Sequence, residues 1–554
     1  MLVVGSGFGG LWAAIAAREA GAARVLLVDK ASIALSSQSK MCAGATIYCL
    51  PGDDPDEWLR DVVTAQGWLC HQDMVADMLA TSAARLARLE AWGVRYRRTP
   101  WGSRLRLPSR GFRRLRMLVE PTFAGRVGGS AVVQALRRRV AQLAVARRSR
   151  TLVTHILQAG GRATGVVGLD RGTGVPCVLR AGAVVLAAGD CSFRGNYVGT
   201  GAATGDALRL AFDAGVRLAN LEFLAVNTAP PAWGFEGTGV VLRWGGRLRD
   251  AQGRPFMHRH HPDGDAAEIG ALVQAMAREV RAGNGPPFSL DVAWPMGHVL
   301  RRIFAGMGGF MPRNLEKLRR LGIDPFTAPQ TWMPAVQSLR GGVRTDIDGA
   351  SDLPGLFAAG LSQAFDPGLF NGWSTMRAMW SGEHAGRAAA RFAATAGQGV
   401  VDGEQAAARV AEARAALARR GGLDADELLA RLQRTIFPFD VSILKHGARL
   451  GAALRAVEEL RAAVPALVAR DPHALCKVHE TASMVLVAEL FLRASLARRE
   501  SRGDHCREDF PARDDRHGLA WTTLRRDAAG RVALDADPVP FARYPLRPAA
   551  ELAV

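Results

Sequence analysis

The first thirty residues combine two short apolar runs with a segment of helical spacing. Met1–Val4 form the first run and Val25–Val28 form the second. Between them, Leu11, Ala14 and Ile15 recur at the spacing of one helical face. Continuous apolar runs are typical of parallel strands that are buried on both faces. The pattern therefore predicts a strand, a helix and a second strand of an α/β fold.

A glycine-rich turn, GSGFGG, joins the first predicted strand to the helix. Gly5 permits a tight turn, Gly7 lets the backbone approach a pyrophosphate, and Gly10 lets the helix pack closely on the strand. The helix N-terminus then faces the phosphates with its N–H groups and its dipole. Asp29 ends the second strand, where an acidic side chain accepts hydrogen bonds from a ribose. This context predicts a dinucleotide site.

Later segments continue the α/β pattern and then change to helix. Three strand-like segments, residues 151–158, 162–169 and 176–179, lead into the apolar sequence GAVVLAAGD. Near the C-terminus, Asp471-Pro472 is a good helix start. One helical face after it carries Leu475, Val478, Ala482, Val485 and Leu486.

Length and composition indicate a globular protein of several domains. The chain has 554 residues, of which 48% are hydrophobic and 22% are charged. That length exceeds what one core usually supports, so two to four domains are expected. No apolar stretch approaches the 18 or so residues that a spanning helix needs. The N-terminus resembles no signal peptide, so we expect a soluble protein in the cytoplasm.

Neither the charge nor the cysteines predict a nucleic-acid or metal site. The net charge is +19, yet only five of the 71 basic residues are lysines, which favours a compositional bias over phosphate binding. The seven cysteines are scattered without a CxxC pair, so we expect no zinc or iron–sulfur site.

Several longer segments resemble one known family. They are SSQSKMCAGATIY (36–48), GAVVLAAGD (182–190), TGDALRLAFDAGVRLANLEF (204–223), LPGLFAAG (353–360) and ARRESRGDHCREDFPARDDR (497–516). The family is that of the fumarate reductase and succinate dehydrogenase flavoproteins, which includes L-aspartate oxidase and the adenylylsulfate reductase alpha subunit. The last segment interleaves six cations with six anions, which predicts a self-compensating network without net charge. Exposed ion pairs contribute only about 0–1 kcal/mol each, so a network that positions one domain against another is favoured over a stabilising one.

The resemblance implies a fold of four parts and a cofactor. A Rossmann-like FAD-binding domain of the glutathione reductase type would occupy 1–225 and 336–397, with an inserted α+β cap domain at 226–335. A helical domain (398–510) and a C-terminal tail (511–554) would follow. The cofactor would be FAD, bound non-covalently because Gln38 stands where many relatives carry the histidine that bonds to the flavin. The expected FAD contacts are Gly5, Ser6, Gly7, Phe8, Gly9, Gly10, Asp29, Lys30, Ser37, Gln38, Ser39, Gly44, Ala188, Gly189, Asp206, Gly360, Thr375 and Met376.

The substrate residues of the family are replaced in this chain. Relatives hold a dicarboxylate with two histidines and an arginine, and a second arginine passes a proton. Asn227 and Gln337 occupy the positions of the two histidines, and Phe370 occupies the position of the substrate-binding arginine. The proton-passing arginine falls on Ile269 or Gly270. A hydrogen bond to a charged group is worth about 1.5–3 kcal/mol, so we expect poor fumarate binding and no physiological succinate or fumarate activity.

A different set of residues is expected to serve the reaction. Arg340, directly before Gly341, is the first candidate for binding a carboxylate, sulfate or phosphate, and Gln337 and Asn227 complete the expected catalytic set. Weaker candidates for the pocket are Arg243, Arg344 and Arg377, and the tryptophans Trp233, Trp244, Trp373 and Trp380.

Three functions remain open on the sequence. The first is an FAD-dependent dehydrogenase or reductase that moves a hydride between flavin N5 and a small organic substrate. The second is a flavoprotein subunit that exchanges electrons with an iron–sulfur or ferredoxin-like partner. The third is a catalytically degenerate protein that binds FAD for structure or regulation.

Overall fold

The computed structural model describes residues 1–231, 242, 245–292, 319–324, 329–368 and 370–548. Within these ranges the strands are β1 (Leu2–Val4), β2 (Leu26–Val28), β3 (Thr46–Ile47), β4 (Arg106–Pro108), β5 (Arg116–Leu118), β6 (Thr122–Phe123), β7 (Arg126–Val127), β8 (Ala146–Arg148), β9 (Thr151–Ala159), β10 (Arg162–Asp170), β11 (Pro176–Arg180), β12 (Val184–Leu186), β13 (Leu218–Ala219), β14 (Leu224–Ala229), β15 (Arg247–Arg249), β16 (Phe288–Asp291), β17 (Gln330–Leu339), β18 (Gly342–Val343), β19 (Leu356–Ala358), β20 (Leu444–Lys445), β21 (Cys506–Arg507), β22 (Ala520–Arg526) and β23 (Val532–Pro538). The α-helices are α1 (Phe8–Glu19), α2 (Gln38–Met41), α3 (Pro55–Ala65), α4 (Gln72–Ala80), α5 (Ser82–Ala91), α6 (Gly129–Gln142), α7 (Asp206–Asp213), α8 (Ile269–Arg281), α9 (Trp373–Ala396), α10 (Gly403–Ala418), α11 (Ala425–Ile436), α12 (Phe439–Ser442), α13 (Gly447–Ala463) and α14 (Pro472–Ala497).

A five-stranded parallel sheet forms the centre of the part predicted to bind FAD, in the order β19-β12-β1-β2-β8. Val3 lies opposite Val185 on one side and Leu27 on the other. All three residues are fully buried, as the continuous apolar runs predicted. The predicted strand, helix and strand at the N-terminus are therefore confirmed as β1, α1 and β2.

Helices α1 and α9 pack very closely on each other beside this sheet. A Cβ on Gly382 of α9 would lie 2.3 Å from the carbonyl oxygen of Gly9, and one on Gly386 would lie 2.3 Å from that of Ala13. Contacts this short exclude any side chain, so the two glycines let α9 rest on the backbone of α1.

Two antiparallel sheets flank the parallel one. The three predicted strand-like segments are confirmed as β9, β10 and β11, which pair in the order β11-β10-β9 and carry α10 on their surface. Strands β14, β17, β16 and β15 form the second sheet, which falls mainly in the segment predicted as the cap. Helix α8 and this sheet share a small core around Phe256, Met276 and Phe288.

The C-terminal third is mainly helical and ends in a hairpin. Helix α14 begins where predicted, because the Asp471 carboxylate accepts a hydrogen bond from the backbone N–H of Ala474 at 2.8 Å and Pro472 occupies the first turn. Strands β22 and β23 belong to the segment predicted as a tail, and β22 pairs with β13. Among the described residues, no helix is both long enough and apolar enough to cross a bilayer.

The charged segment 497–516 contains a buried network of ion pairs. Arg498 pairs with Glu222 at 2.6 Å and with Glu500 at 2.7 Å, and all three side chains are at most 3% exposed. Arg502 pairs with Glu500 and also donates to the carbonyl of Gly67. Buried pairs like these cost much desolvation, so their geometry must be well satisfied. The network joins the C-terminal segment to two distant parts of the chain, near Glu222 and near Gly67.

Candidate functional site

A cleft of about 290 Å³ lies at the carboxyl ends of the parallel strands. The residues that follow β1, β2, β12 and β19 all line it, including Gly5, Asp29, Ala187 and Gly360. Ligands of open α/β sheets bind at this edge of the sheet. The cleft continues from the glycine turn to a second end lined by Asn227, Gln337, Arg340 and Phe370.

The glycine turn has the geometry that its sequence predicted. Gly5 has φ +104°, and a Cβ there would lie 2.2 Å from the carbonyl oxygen of Ala187. A Cβ on Gly9 would lie 3.0 Å from the backbone nitrogen of Gly360. Helix α1 begins after Gly7 without a side-chain cap, and Gly7, Phe8 and Gly9 line the cleft. The helix N-terminus is therefore presented to whatever occupies this end.

Asp29 lines the cleft and also fixes the turn. Its Oδ2 accepts a hydrogen bond from the backbone N–H of Ser6 at 2.8 Å, and its Oδ1 accepts one from Ala31 at the same distance. The Ser6 hydroxyl also donates to Oδ2, at 2.5 Å, so the free lone pair of this carboxylate is on Oδ1. The residue can therefore hold the backbone and accept hydrogen bonds from a ribose.

Lys30 and Asp206 form an ion pair on the cleft wall. The Lys30 Nζ lies 2.7 Å from Asp206 Oδ2 and 2.9 Å from Glu480 Oε1. The Thr204 hydroxyl donates to Asp206 at 2.8 Å. Both predicted contacts are thus at the cleft, while Glu480 of α14 was not foreseen because it comes from the distant helical part of the sequence.

The segment after β2 closes over the glycine turn. Ser37 caps α2, and the Ser39 hydroxyl accepts a hydrogen bond from the backbone N–H of Phe8 at 3.0 Å. Gln38 donates to the backbone carbonyl of Gln337 at 3.5 Å, which connects this segment to the opposite end of the cleft.

The remaining predicted contacts divide into two groups. Gly44, Ala188, Gly189 and Thr375 line the cleft, as do the residues already described. Gly10 and Met376 do not line it. Gly10 lies behind the turn, where a Cβ would be 1.8 Å from the carbonyl oxygen of Gly5. The Met376 side chain points into an apolar core.

Neutral amides occupy the second end of the cleft. The Asn227 side-chain nitrogen donates to Gln337 Oε1 at 2.9 Å and to the Tyr197 hydroxyl at 3.3 Å. All three residues line the cleft. These uncharged donors and acceptors suit a carbonyl, hydroxyl or amide group of a substrate better than the second carboxylate of a dicarboxylate. Tyr197 was missed in the sequence because no motif marks it.

Arg340 lines the same end and is held by a buried carboxylate. Its guanidinium donates to Asp366 Oδ1 at 2.7 Å and to the Ser374 hydroxyl at 3.0 Å. The Arg340 Nε is buried and has no hydrogen-bond partner among the described residues. Arg377 also pairs with Asp366, at 3.4 Å, and Trp373 donates its indole N–H to the same carboxylate. One carboxylate therefore serves two buried arginines.

The other arginines and tryptophans predicted for the pocket lie elsewhere. Arg377 is buried behind the cleft wall, where burial lowers its pKa to about 10. Arg344 pairs with Asp537 at 2.7 Å and does not line the cleft. Trp373 and Trp380 are core residues. Arg243, Trp233 and Trp244 lie outside the described residues.

An apolar wall completes the second end. Phe370 stacks on Phe112 with 4.2 Å between ring centroids, and Ile269, Val119 and Leu107 line the cleft as well. A dicarboxylate would have to place charge against this surface without a compensating partner, which is costly.

Two acidic residues on the cleft wall were not predicted. Asp190 follows GAVVLAAG directly, and burial raises the pKa of its carboxyl to about 6. Glu120 has φ +49°, an uncommon conformation for a residue with a side chain, and it pairs with Arg97 at 2.9 Å. The position of Asp190 at the end of an apolar run is a signal that could have identified it. Glu120 has no such signal.

The cleft fits an FAD molecule in its chemistry. The glycine turn leaves no room for side chains and presents a helix N-terminus to phosphate, Asp29 offers acceptors to ribose, and small residues such as Ala188, Gly189 and Gly360 leave space farther along.

Comparison with known proteins agrees with this class of fold and site. Residues 1–365 match the family described as "FAD binding domain", and residues 430–551 match "Fumarate reductase flavoprotein C-term". The chain therefore belongs to the family of FAD-dependent oxidoreductases that contains the fumarate reductase flavoproteins, and its cofactor is FAD. The predicted fold, with an FAD-binding domain, a cap and a helical C-terminal domain, is confirmed.

Individual relatives cover nearly the whole chain. A fumarate reductase flavoprotein subunit of Mycobacterium tuberculosis is 31% identical over 98% of this chain and 98% of its own. An L-aspartate oxidase of Caulobacter vibrioides is 30% identical over 94% of this chain and 96% of its own. Among solved structures, a variant of the E. coli quinol fumarate reductase superposes with a TM-score of 0.89 at 25% identity, covering 99% of this chain and 97% of that one.

Proposed function

We propose that the chain is a dehydrogenase or reductase that transfers a hydride between FAD and a small organic substrate other than succinate or fumarate. The proposed substrate carries a C–H or C=C bond next to an activating carbonyl or carboxyl group. Bound FAD supplies the hydride donor or acceptor at N5. The protein's own residues bind and orient the substrate and exclude water.

The observation that carries this proposal is the chemistry of the second end of the cleft. Asn227 and Gln337 bond to each other at 2.9 Å and are neutral, and Phe370 presents an aromatic face. A buried carboxylate without a charged partner is costly. Arg340 is the cation on this wall that could hold one anionic group, and Asp366 already fixes its orientation. The arrangement suits a substrate with at most one anionic group.

We assign the cofactor to the glycine-turn end of the cleft. The backbone N–H groups after Gly7 would hold the pyrophosphate, Asp29 would hold the ribose, and Asp206 with Lys30 would lie along the chain of the cofactor. Gln38 carries no nucleophile toward the flavin, so we propose non-covalent binding. Residues 1–225 and 336–397 would form the FAD-binding unit, with the cap at 226–335.

The test begins with purification of the intact holoenzyme. Acid precipitation should leave the yellow flavin in the supernatant. The oxidised holoenzyme is then mixed anaerobically with succinate and with a panel of monocarboxylates, keto acids and enones or their saturated forms. We expect at least one compound of the panel to bleach the flavin and succinate to leave it oxidised. Rapid bleaching by succinate, or flavin that remains in the pellet, contradicts the corresponding part of the proposal.

A second candidate function is that of a subunit in an electron-transfer complex. It is favoured by the relatives, since the Mycobacterium tuberculosis protein and a Methanothermobacter marburgensis protein, 26% identical, are both named as subunits. The proposed partner is an iron–sulfur or ferredoxin-like electron carrier. Purification under mild conditions from native cells distinguishes the two, because a stable complex would contain a second chain in equal amount.

A further inference from the structure

A carboxyl group that the proposed function does not use lies against Gly270, the residue after the cleft-lining Ile269. Asp504 belongs to the loop between Arg502 and His505, in the charged C-terminal segment. Its Oδ2 is buried and has no hydrogen-bond partner among the described residues. Its Oδ1 lies 2.9 Å from where a Cβ on Gly270 would stand. The carboxyl therefore occupies the space that a side chain at position 270 would need.

Position 270 adjoins the cleft. Gly270 is the second residue of α8, and Ile269 before it lines the cleft. By resemblance, the arginine that passes a proton in relatives falls on Ile269 or Gly270. This chain lacks that arginine and instead brings a carboxyl from a loop more than two hundred residues away to the same place.

The surroundings of Asp504 decide how it titrates. Burial raises the pKa of its carboxyl to about 7, and the positive charges of Arg340 and Lys445 act against that rise. Glu268 and Asp366 add negative charge nearby and act in the same direction as burial. The N-terminus of α8 favours the ionised form. The group is therefore held close to balance between its two protonation states.

We propose that Asp504 exchanges a proton with the substrate that is bound against Arg340. This inference rests on the proposed function and adds the acid and base to it. In the direction of reduction, one carbon of an activated C=C bond receives the hydride for which bound FAD is the source. The other carbon receives the Asp504 proton, so that an O–H bond breaks and a C–H bond forms. In the opposite direction, the carboxylate removes that proton while the substrate is oxidised and FAD is reduced.

The hydrogen bonds and ion pairs of the neighbouring carboxyl groups distinguish them from Asp504. Asp366 is fully engaged by two arginines and a tryptophan. Asp190 also has one buried oxygen, Oδ1, without a partner among the described residues, but the Ser338 hydroxyl donates a hydrogen bond to its other oxygen and so holds the carboxyl in place. Asp504 has an unpartnered oxygen beside the cleft, and an acid that titrates near the working pH exchanges protons most effectively.

The test compares the Asp504→Asn holoenzyme with the wild type. The midpoint potential of the bound flavin is measured against pH, and infrared difference spectra follow protonated carboxyl groups over the same range. In the wild type, the plot of flavin midpoint potential against pH should change slope near pH 7 (the bend). The infrared band of a protonated carboxyl group (the band) should titrate over the same pH range, because a group that titrates beside the flavin is linked to its reduction. Both should be absent in Asp504→Asn.

The matched control is Asp263→Asn, the same chemical change on a side chain that is 72% exposed. It should keep both the bend and the band. On whichever compound bleaches the flavin, Asp504→Asn should lose about 10²- to 10⁴-fold in kcat with little change in KM. Asp504→Asn that retains the bend, the band and the turnover overturns the inference.

A second variant covers the case in which Asp504→Asn does not fold. Gly270→Ala places a methyl group 2.9 Å from the carboxyl oxygen and must displace it. The bend should move to another pH, and an unchanged bend overturns the inference. A wild type that fails to bind FAD, or that no compound bleaches, instead contradicts the proposed function, so the two failures are distinguishable.

Discussion

At the scale of single residues, the second end of the cleft depends on one carboxylate. Asp366 is fully buried and holds Arg340 at 2.7 Å and Arg377 at 3.4 Å. It also accepts the indole N–H of Trp373. Without it, two guanidinium groups would remain in a site with little water. Asp366 therefore supports both the fold and the orientation of the proposed anion-binding residue.

Asp366→Asn should be strongly destabilising. Removing one partner of a buried ion pair typically costs about 3–5 kcal/mol, because the remaining charge stays unpaired. The measurement is the free energy of unfolding in urea, with flavin content followed in parallel. Asp263→Asn should change stability by less than about 0.5 kcal/mol, as exposed substitutions usually do. Equal stability of the two variants would show that Asp366 does not hold the arginines.

At the scale of elements, the sequence was informative where the interactions are local. The glycine turn, β1, α1 and β2 were predicted because spacing along thirty residues determines them. The substrate end could not be assembled in the same way, since Tyr197, Asp366 and Asp504 converge from separate loops and no spacing connects them. The charged segment 497–516 was recognised as a network, but its burial could not be predicted, because alternating charges look the same in sequence whether they pair at the surface or in the interior.

The crossing of α1 and α9 makes a further prediction at this scale. Gly382→Ala would place a Cβ 2.3 Å from the carbonyl oxygen of Gly9, so the helices must separate. Overpacking of this kind costs about 1–3 kcal/mol. Because α1 presents its N-terminus to the cofactor, FAD should also bind more weakly.

Thermal unfolding and fluorescence titration with FAD measure the two effects. The matched control is Gly403→Ala in α10, where a Cβ would meet nothing within 4 Å. That variant should be as stable as the wild type or slightly more so, since alanine favours helix over glycine. Wild-type FAD affinity in Gly382→Ala would show that the crossing does not position the turn.

At the scale of the whole molecule, one fold combines a retained cofactor site with an altered substrate site. The parallel sheet and its glycine turn are those of an FAD-binding protein, and the relatives cover nearly the full chain. The C-terminal segment is joined to the same region by the Arg498–Glu222 pair and by β22. Through this arrangement, a distant loop brings Asp504 against Gly270, next to the cleft-lining Ile269, so the helical part would contribute to the proposed chemistry as well as to stability.

The most direct test of this account is the reaction of the reduced holoenzyme with fumarate. The flavin is photoreduced without oxygen and mixed rapidly with excess fumarate while its absorbance is followed. We predict that fumarate reoxidises the flavin no faster than a buffer blank does. A compound identified by the bleaching screen, offered in its oxidised form, should restore the yellow colour. Reoxidation by fumarate at an ordinary enzymatic rate, about 1–10³ s⁻¹, would contradict the claim that the substrate site has changed.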